Sequence, residues 1–338
     1  MTGLPRFAVR MHGDMDSRIC AEAARHAEAC GFDTVWFAEN LFQRGVLPAA
    51  TACALATETI EIGIGVFNPF NRHPTLMAME LGALDEISGG RAILGIGAGV
   101  PRAIERIGAF RNVAEAMNDA VAIAGPLLAG EEVSHAGKMF SAEGVKLSYR
   151  PVRDRVPIYL AAMGERVLRV CGARADGLLI SNMCPPAFTG RAIGAMAEAA
   201  RQAGRPTPSN VVKYVPCVAG EDGALARRAV KPAIGAMLGA YFRAYETTPA
   251  ALAAMAGDNG IEPGLFARAL ERLAAGEAAE DALDDAFVAA YAVAGTVEQC
   301  LDRCRALAAD GVTQMTLTFH GDRPGEWMAR FGAAAAAG

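Results

Sequence analysis

The chain holds no run of basic residues with aromatics interleaved among them. Its 32 lysines and arginines are outnumbered by 37 aspartates and glutamates, a formal charge of -5 at pH 7. A surface of that sign repels a phosphate backbone, so no nucleic-acid partner is expected. Long apolar runs are missing as well. No uninterrupted segment reaches the roughly 20 residues that cross a bilayer, so no membrane partner is expected either. The opening residues, Met-Thr-Gly-Leu-Pro-Arg-Phe, lack the basic stretch followed by an apolar one that marks a signal peptide. These absences point to a cytoplasmic protein.

Cys-x-x-Cys does not occur. The eight cysteines are scattered, at Cys20, Cys30, Cys53, Cys171, Cys184, Cys217, Cys300 and Cys304. Cys300 and Cys304 are spaced for one helix face, but two thiols without further ligands make a poor zinc site. The cysteines read as small buried hydrophobes in a reducing compartment. Cys184, just before Pro185-Pro186, is the one placed nearest a pocket.

What the chain does have is alternation. Hydrophobic residues make up 52% of its 338 positions, and they fall into short strand-like runs separated by helix-like patterns. Strands are expected at Phe7–Met11, Thr34–Ala38, Ile60–Phe67, Ala92–Ile96, Pro157–Ala161, Gly177–Ser181, Val211–Ala219 and Gln314–Phe319. Helices are expected between them, among them Arg18–Cys30, Pro74–Ile87 with proline at its start, Pro186–Ala203, Ala224–Tyr245 and, as the last, Val297–Ala309. Eight such units at this length make a (β/α)8 TIM barrel. A doubly wound sheet is the runner-up. Two insertions interrupt the repeat: a β-hairpin at about 131–150 after strand four, and an alanine-rich, acidic, helical excursion at 246–294 after strand seven. No linker marks a second domain.

The segment Ile87-Ser-Gly-Gly-Arg91-Ala-Ile-Leu-Gly95-Ile-Gly97-Ala-Gly99-Val-Pro101 reads as a buried strand left through alternate glycines. It is not a dinucleotide fingerprint. The third small residue of G-x-G-x-x-G would fall on Val100 or Arg102. Two readings stay open: a backbone floor for a phosphate at the carboxyl end of a barrel strand, or small residues kept for packing.

In a barrel, chemistry sits on the loops that follow the strands. That rule selects Arg10, His12 and Asp14; Glu39 and Asn40; Asn68, Asn71, Arg72 and His73; Gly97 to Arg102; Met163 and Gly164; Asn182 to Cys184; and His320, Asp322 and Arg323. His12, Glu39 and His320 are the groups suited to proton transfer near neutral pH. Two histidines and a carboxylate could instead ligate a metal, but their spacing does not favour it, and no metal is expected. Arg10, a permanent cation inside a strand, must reach solvent, an acid or a bound anion. His26 and His135 read as structural or solvated.

Several of these pieces together carry a resemblance. They are Ile62-Gly-Ile-Gly65-Val66-Phe67-Asn68, Asn71-Arg72-His73-Pro74, Leu84-Asp-Glu-Ile-Ser-Gly-Gly-Arg91 running on to Gly99, Arg174-Ala-Asp176-Gly177-Leu-Leu-Ile, and Ala294-Gly-Thr-Val-Glu-Gln-Cys300. In that order they resemble the bacterial luciferase-like superfamily, and within it the methylenetetrahydromethanopterin reductases that use coenzyme F420. The resemblance implies a barrel that forms a homodimer or dimer of dimers, with a flavin-like ring at its mouth. It implies a non-prolyl cis peptide at Gly65–Val66 against the ring and cofactor contacts from Glu39, Asn40 and Asn68. It also implies a phosphate-side loop at Gly97, Ala98 and Gly99, and a second cofactor segment at Ala175, Asp176, Gly177 and Leu178.

Two positions depart from the reductase pattern. Glu39-Asn40 stands where F420-dependent members have Asp-His, and Arg10 stands where the reductases have a glutamate. A permanent cation cannot relay a proton as an acid does. The expected activity is therefore an F420-dependent C1-carrier reductase with altered acid–base residues, acting on a pterin-like or anionic small molecule, with Arg10, His12, Glu39 and His320 as catalytic candidates. An FMN-dependent monooxygenase is the alternative, and a non-catalytic cofactor- or pterin-binding homologue is a third. A barrel hydrolase with paired carboxylates such as Glu39 and Asp322 has no evident geometry behind it.

Overall fold

A computed structural model describes residues 3–99, 101–108, 112–182, 184–242 and 260–337. In chain order the first elements are β1 (Arg6–His12), α1 (Ser17–Ala29), β2 (Thr34–Ala38), α2 (Val46–Ala56), β3 (Glu61–Phe67), α3 (Pro74–Ile87), β4 (Ala92–Ile96), α4 (Pro101–Glu105) and α5 (Val113–Leu128). Then come β5 (Val133–Ala136), β6 (Ser141–Val145), β7 (Ile158–Ala161), α6 (Glu165–Arg174), β8 (Gly177–Ile180), α7 (Pro186–Gln202), β9 (Asn210–Ala219) and α8 (Gly223–Phe242). The described remainder is α9 (Pro263–Ala274), α10 (Ala279–Ala282), α11 (Asp285–Tyr291), β10 (Val293–Gly295), α12 (Val297–Ala309), β11 (Gln314–Phe319) and α13 (Pro324–Ala337).

The large sheet runs in the order β10-β9-β11-β1-β2-β3-β4-β7-β8, and β9 also pairs with β8. Leaving out β10, this is the ring of a (β/α)8 barrel, as expected from the alternation. Several strands are apolar over nearly their whole length because both faces are covered. β2, β4 and β8 are buried at every position, the pattern of parallel strands under helices. The hairpin expected at 131–150 is β5 and β6, an antiparallel pair. Among the described residues, no helix is long and apolar enough to cross a membrane.

The chain divides into two compact units. The first takes Phe7–Ile180 and Ala192–Val212, and so carries β1 to β8. Within it, Trp36 of β2 and Tyr159 of β7 lie with ring centroids 5.8 Å apart. The indole takes the space beside Gly63, where a Cβ would run into it. Arg91 closes the entry to β4. Its Nε donates to the Ser88 carbonyl at 2.7 Å, Nη1 to Thr57 Oγ1 at 3.0 Å and the Ile60 carbonyl at 2.6 Å, and Nη2 to the carbonyls of Ala54 at 2.8 Å and Thr57 at 2.9 Å. One guanidinium thus caps the carboxyl end of α2 and ties it to the start of β3. Gly89 and Gly90, at φ 68° and 87°, make the left-handed turn that aims Arg91 there.

The second unit takes the described parts of 181–191 and 213–338. Phe266 of α9 and Phe287 of α11 stack at 5.6 Å in its core, packed with Val230, Ile234 and Leu238 of α8. Thr296 and Gln299 form a reciprocal capping box at the start of α12, with Gln299 N donating to Thr296 Oγ1 at 3.4 Å and Thr296 N to Gln299 Oε1 at 3.0 Å. Two expectations change here. The excursion at 246–294 is helical only in part. Residues 246–259 lie outside the described set, and its last residues open β10, which pairs parallel with Cys217–Ala219 of β9. Nor is Val297–Ala309 the last helix. α13 follows β11, burying Trp327, Met328 and Phe331.

Candidate functional site

At the carboxyl ends of β3 and β4 the register slips between Ile64 and Phe67, and the Gly65–Val66 peptide bond there is cis. Asn68 braces the two loops that follow. Its Nδ2 donates 2.7 Å to the Ala98 carbonyl, and its Oδ1 accepts from Phe70 N at 2.9 Å. Gly97 N donates to the Phe67 carbonyl at 3.0 Å. A Cβ at Gly97 would come within 2.8 Å of Val66 Cγ2 and 2.9 Å of Ala161 Cβ. Gly99 sits at φ 63°, in the left-handed region, with the Asn68 amide 3.1 Å from where its Cβ would be. The stretch Gly97–Gly99 is thus a floor of main chain, held in place by a buried amide.

Beside it lies an ion cluster. Glu39, directly after β2, accepts from Arg72 Nη2 at 2.7 Å, and its side chain is only 9% exposed. Arg72 Nη1 pairs with Glu80 of α3. The guanidinium also lies 4.4 Å over the Phe67 ring, a placement that suits its planar charge. Two polar atoms of this cluster, Glu39 Oε2 and Arg72 Nε, are shielded from water and have no hydrogen-bond partner. A buried orphan of this kind costs about 1–3 kcal/mol, and sites that bind ligands are where such costs are tolerated.

Arg10 and His12 stand in register with Trp36 and Ala38 of β2, so both belong to this end of the sheet. Asn40 turns to its own loop, with its Nδ2 donating to Gln43 Oε1 at 3.0 Å. That loop is sewn to the one after β1 by Arg44, whose Nη1 donates to the Asp14 carbonyl at 2.9 Å and whose N donates to the Gly13 carbonyl at 3.1 Å. His320 follows β11 in the second unit, its N–H bonded to the Cys217 carbonyl at 2.9 Å.

Ala175, Asp176, Gly177 and Leu178 are not at this end. They enter β8 at its amino end, beside the amino end of β7, while Gly97–Gly99 leave β4 at its carboxyl end. Asp176 has a structural occupation there. Its N–H donates to the Ile158 carbonyl at 2.7 Å, and its Oδ2 accepts from Ile158 N at 3.0 Å. Asp33 does the same at the amino end of β2, with its N–H on the Phe7 carbonyl at 2.8 Å and Oδ2 accepting from Phe7 N at 3.1 Å. Each aspartate locks the start of the preceding strand, at Ile158 of β7 and at Phe7, the second residue of β1. The cofactor contact expected for these four residues has no support in their placement.

Sequence reasoning missed Glu80 and Lys213. Glu80 had no motif around it. Lys213 did give a signal, a lone lysine inside the apolar run Val211-Val-Lys-Tyr-Val215 of β9. It is 2% exposed, and its Nζ donates 2.6 Å to the Cys184 carbonyl. Burial pulls its pKa down from 10.5 to about 8. Cys184 itself is buried, and its thiol is pushed up to about 11, so it offers no thiolate to a pocket. Among the described residues no group of three His, Cys, Asp or Glu is arranged to hold a metal ion.

A parallel barrel with its chemistry-bearing groups gathered on the loops after β1 to β4 is a ligand-taking barrel of the kind many enzymes use. The particular family follows from comparison. Residues 5–314 match the luciferase-like monooxygenase family, and the chain belongs to it. A 5,10-methylenetetrahydromethanopterin reductase of Archaeoglobus fulgidus is 37% identical over 184 residues, which are 54% of this chain and 55% of that relative. The matched stretch thus spans little more than half of the relative's length. The coenzyme F420-dependent tetrahydromethanopterin reductase of Methanopyrus kandleri superposes with a TM-score of 0.85 at 23% identity, over 98% of this chain and 97% of that one. The oxygenating constituent of 3,6-diketocamphane monooxygenase from Pseudomonas putida, in complex with FMN, superposes at 0.74 and 20% identity over 98% and 97%. At these identities the two structures speak for the fold.

Proposed function

We propose that this protein is an oxidoreductase that binds a flavin-like cofactor, F420 in the first reading, at the carboxyl ends of β1 to β4, and acts on a pterin-like C1 carrier. The observation that carries it is the main-chain floor at Gly97–Gly99, braced by Asn68, beside the orphaned oxygen of Glu39. Glycines let backbone N–H groups approach a phosphate-bearing tail. The carboxylate beside them offers an acceptor to a ring. These residues fit the group.

The cofactor, when bound, supplies the hydride chemistry. The protein's residues do the rest. Gly97, Ala98 and Gly99 would seat it, and Gly65 and Val66 would lie on its ring side. Arg72 holds Glu39 in one orientation. His12 is the candidate for moving a proton at this end of β1 to β4, and Arg10 offers a fixed positive charge to an anionic group of the substrate. The identity to a reductase sequence supports the C1-carrier reading. Glu39-Asn40 and Arg10, which depart from the reductase pattern, favour a second reading, an FMN-dependent monooxygenase on the same floor.

The assembly we propose is a homodimer, alone or paired into a dimer of dimers. The helix α2, Val46-Leu-Pro-Ala-Ala-Thr-Ala-Cys-Ala-Leu-Ala56, has no charged residue. Its Leu55 is 73% exposed, and Met79 on the neighbouring α3 is 51% exposed. An apolar face of this kind suits a second copy.

Mass spectrometry and absorbance of the small molecule that copurifies from the native host test the reading. A deazaflavin supports the first form and FMN the second. A preparation that neither carries nor takes up either one overturns both.

A further inference from the structure

We infer that Phe42 is a specificity-determining residue at the entrance to the site, where its open ring face stacks on a planar conjugated ring of the substrate and Arg106, on its other face, attracts an anionic group of that substrate. The inference rests on the proposed function above and deepens it. It concerns the substrate, not the cofactor.

The backbone is the first ground. Asn40 to Gln43 form a tight turn after β2, closed by Gln43 N donating to the Asn40 carbonyl at 3.2 Å. Phe42 is its third residue, at φ 70°. That place in a type II turn takes glycine, because an L side chain there is strained. The turn is held in this form from two sides. Asn40 Nδ2 donates to Gln43 Oε1 at 3.0 Å, and Arg44 N donates to the Gly13 carbonyl at 3.1 Å. A bulky residue in this conformation is an outlier that calls for a reason. Burial is not the reason, since Phe42 is 65% exposed. An aromatic ring kept in water on a strained turn fits a group held ready for a ligand.

Place and charge are the second ground. Arg106 follows α4, and its guanidinium lies 4.7 Å over the Phe42 ring. β3 runs between β2 and β4. A contact between the segments after β2 and β4 therefore spans the end of β3, where Gly65, Val66 and Asn68 lie. Arg106 is exposed, and among the described residues no carboxylate pairs with it. Ile107 beside it is 43% exposed. The pair offers a π-face together with a permanent cation whose charge is not neutralised. A flat ring carrying a carboxylate or phosphate matches both; a saturated or cationic molecule matches neither. Cofactor and substrate can each carry such a ring. A seated cofactor is covered, whereas an exposed ring suits the group that comes and goes.

The experiment has one arm for each source. Wild-type protein, Phe42→Gly, Phe42→Leu, Phe42→Tyr and Arg106→Gln are titrated by calorimetry with F420 and with FMN. The loaded proteins are then titrated with pterin-6-carboxylate, which is anionic, and with 6-methylpterin, which is not. Thermal midpoints are recorded in parallel. The wild type should prefer pterin-6-carboxylate. Phe42→Gly and Phe42→Leu should bind both pterins about tenfold more weakly, with cofactor affinity unchanged. Phe42→Gly should melt no lower than the wild type, because glycine relieves the turn. Phe42→Tyr keeps the ring and should keep the affinity. Arg106→Gln should lose the preference for the carboxylate while holding 6-methylpterin as before.

Wild-type binding of the pterins with the same affinity in Phe42→Gly and Phe42→Leu overturns the inference. So does a Phe42→Gly protein that melts lower and loses cofactor and pterin together, which makes Phe42 a structural residue. Cofactor binding without pterin binding overturns the inference and leaves the cofactor reading standing. No binding of F420 or FMN by the wild type overturns both.

Discussion

Asp176 and Ile158 exchange two hydrogen bonds at the amino ends of β8 and β7, one through the Asp176 main chain at 2.7 Å and one through its carboxylate at 3.0 Å. Asp33 and Phe7 repeat the arrangement between β2 and β1. The device ties the start of each strand to the next strand, at the amino-end rim of the sheet, opposite the proposed site. Asp176→Asn keeps the shape but weakens the accepted bond, and Asp176→Ala removes it. The alanine variant should lose about 1–3 kcal/mol of stability with cofactor affinity unchanged. Denaturant unfolding beside a fluorescence titration checks both halves.

Arg91→Ala should be among the more damaging substitutions outside the site. It strips donors from the carbonyls of Ser88, Ile60, Ala54 and Thr57 at once. We expect a loss of at least about 3 kcal/mol, the range of a broken buried network, seen as a lower urea midpoint. Arg91→Lys, one point charge in place of a fork, should rescue little.

Gly97→Ala puts a methyl group against Val66 and Ala161 at under 3 Å. Overpacking of this kind costs about 1–3 kcal/mol. Because the methyl group would displace Val66, which stands against the proposed ring position, affinity for the cofactor should fall by more than stability does. Circular dichroism melts compared with binding curves decide it.

Lys213 predicts an alkaline dependence. Its pKa falls from 10.5 to about 8 on folding, chiefly by burial, with Arg303 pushing the same way and Cys184 and Asp310 opposing. Below the folded value both states are charged, and the burial penalty is fully present. Between about 8 and 10.5 the unfolded chain binds more protons, so stability should rise with pH through that window. The rise is on the order of 3 kcal/mol for a shift of this size. Lys213→Met should be more stable at neutral pH and should show no such rise. Unfolding free energies at pH 7 and pH 10 for both proteins test this.

Much of the barrel was legible because its strands are apolar runs bounded by helix-starting and turn residues. Thr34–Ala38, Pro74–Ile87, Ala92–Ile96 and Val297–Ala309 have the bounds read from the sequence. β10 was not legible. Three residues, Val293–Gly295, become a strand only because β9 is ten residues long and offers Cys217–Ala219 as a pairing edge. Glu39, Asn68 and Gly97–Gly99 do lie directly after β2, β3 and β4, the positions that the rule for barrel loops picks out. Glu80 is not among those positions, since its meeting with Arg72 depends on how α3 lies over the end of β3. Asp176 is not placed by that rule either. Its motif identifies the family without saying which end of β8 it occupies.

The most direct test is a fluorescence titration of the purified protein with F420, with FMN run in parallel. The proposed function predicts saturable binding of F420 in the low micromolar range, weakened by Gly97→Ala. No binding of F420 or FMN below high micromolar concentrations contradicts it.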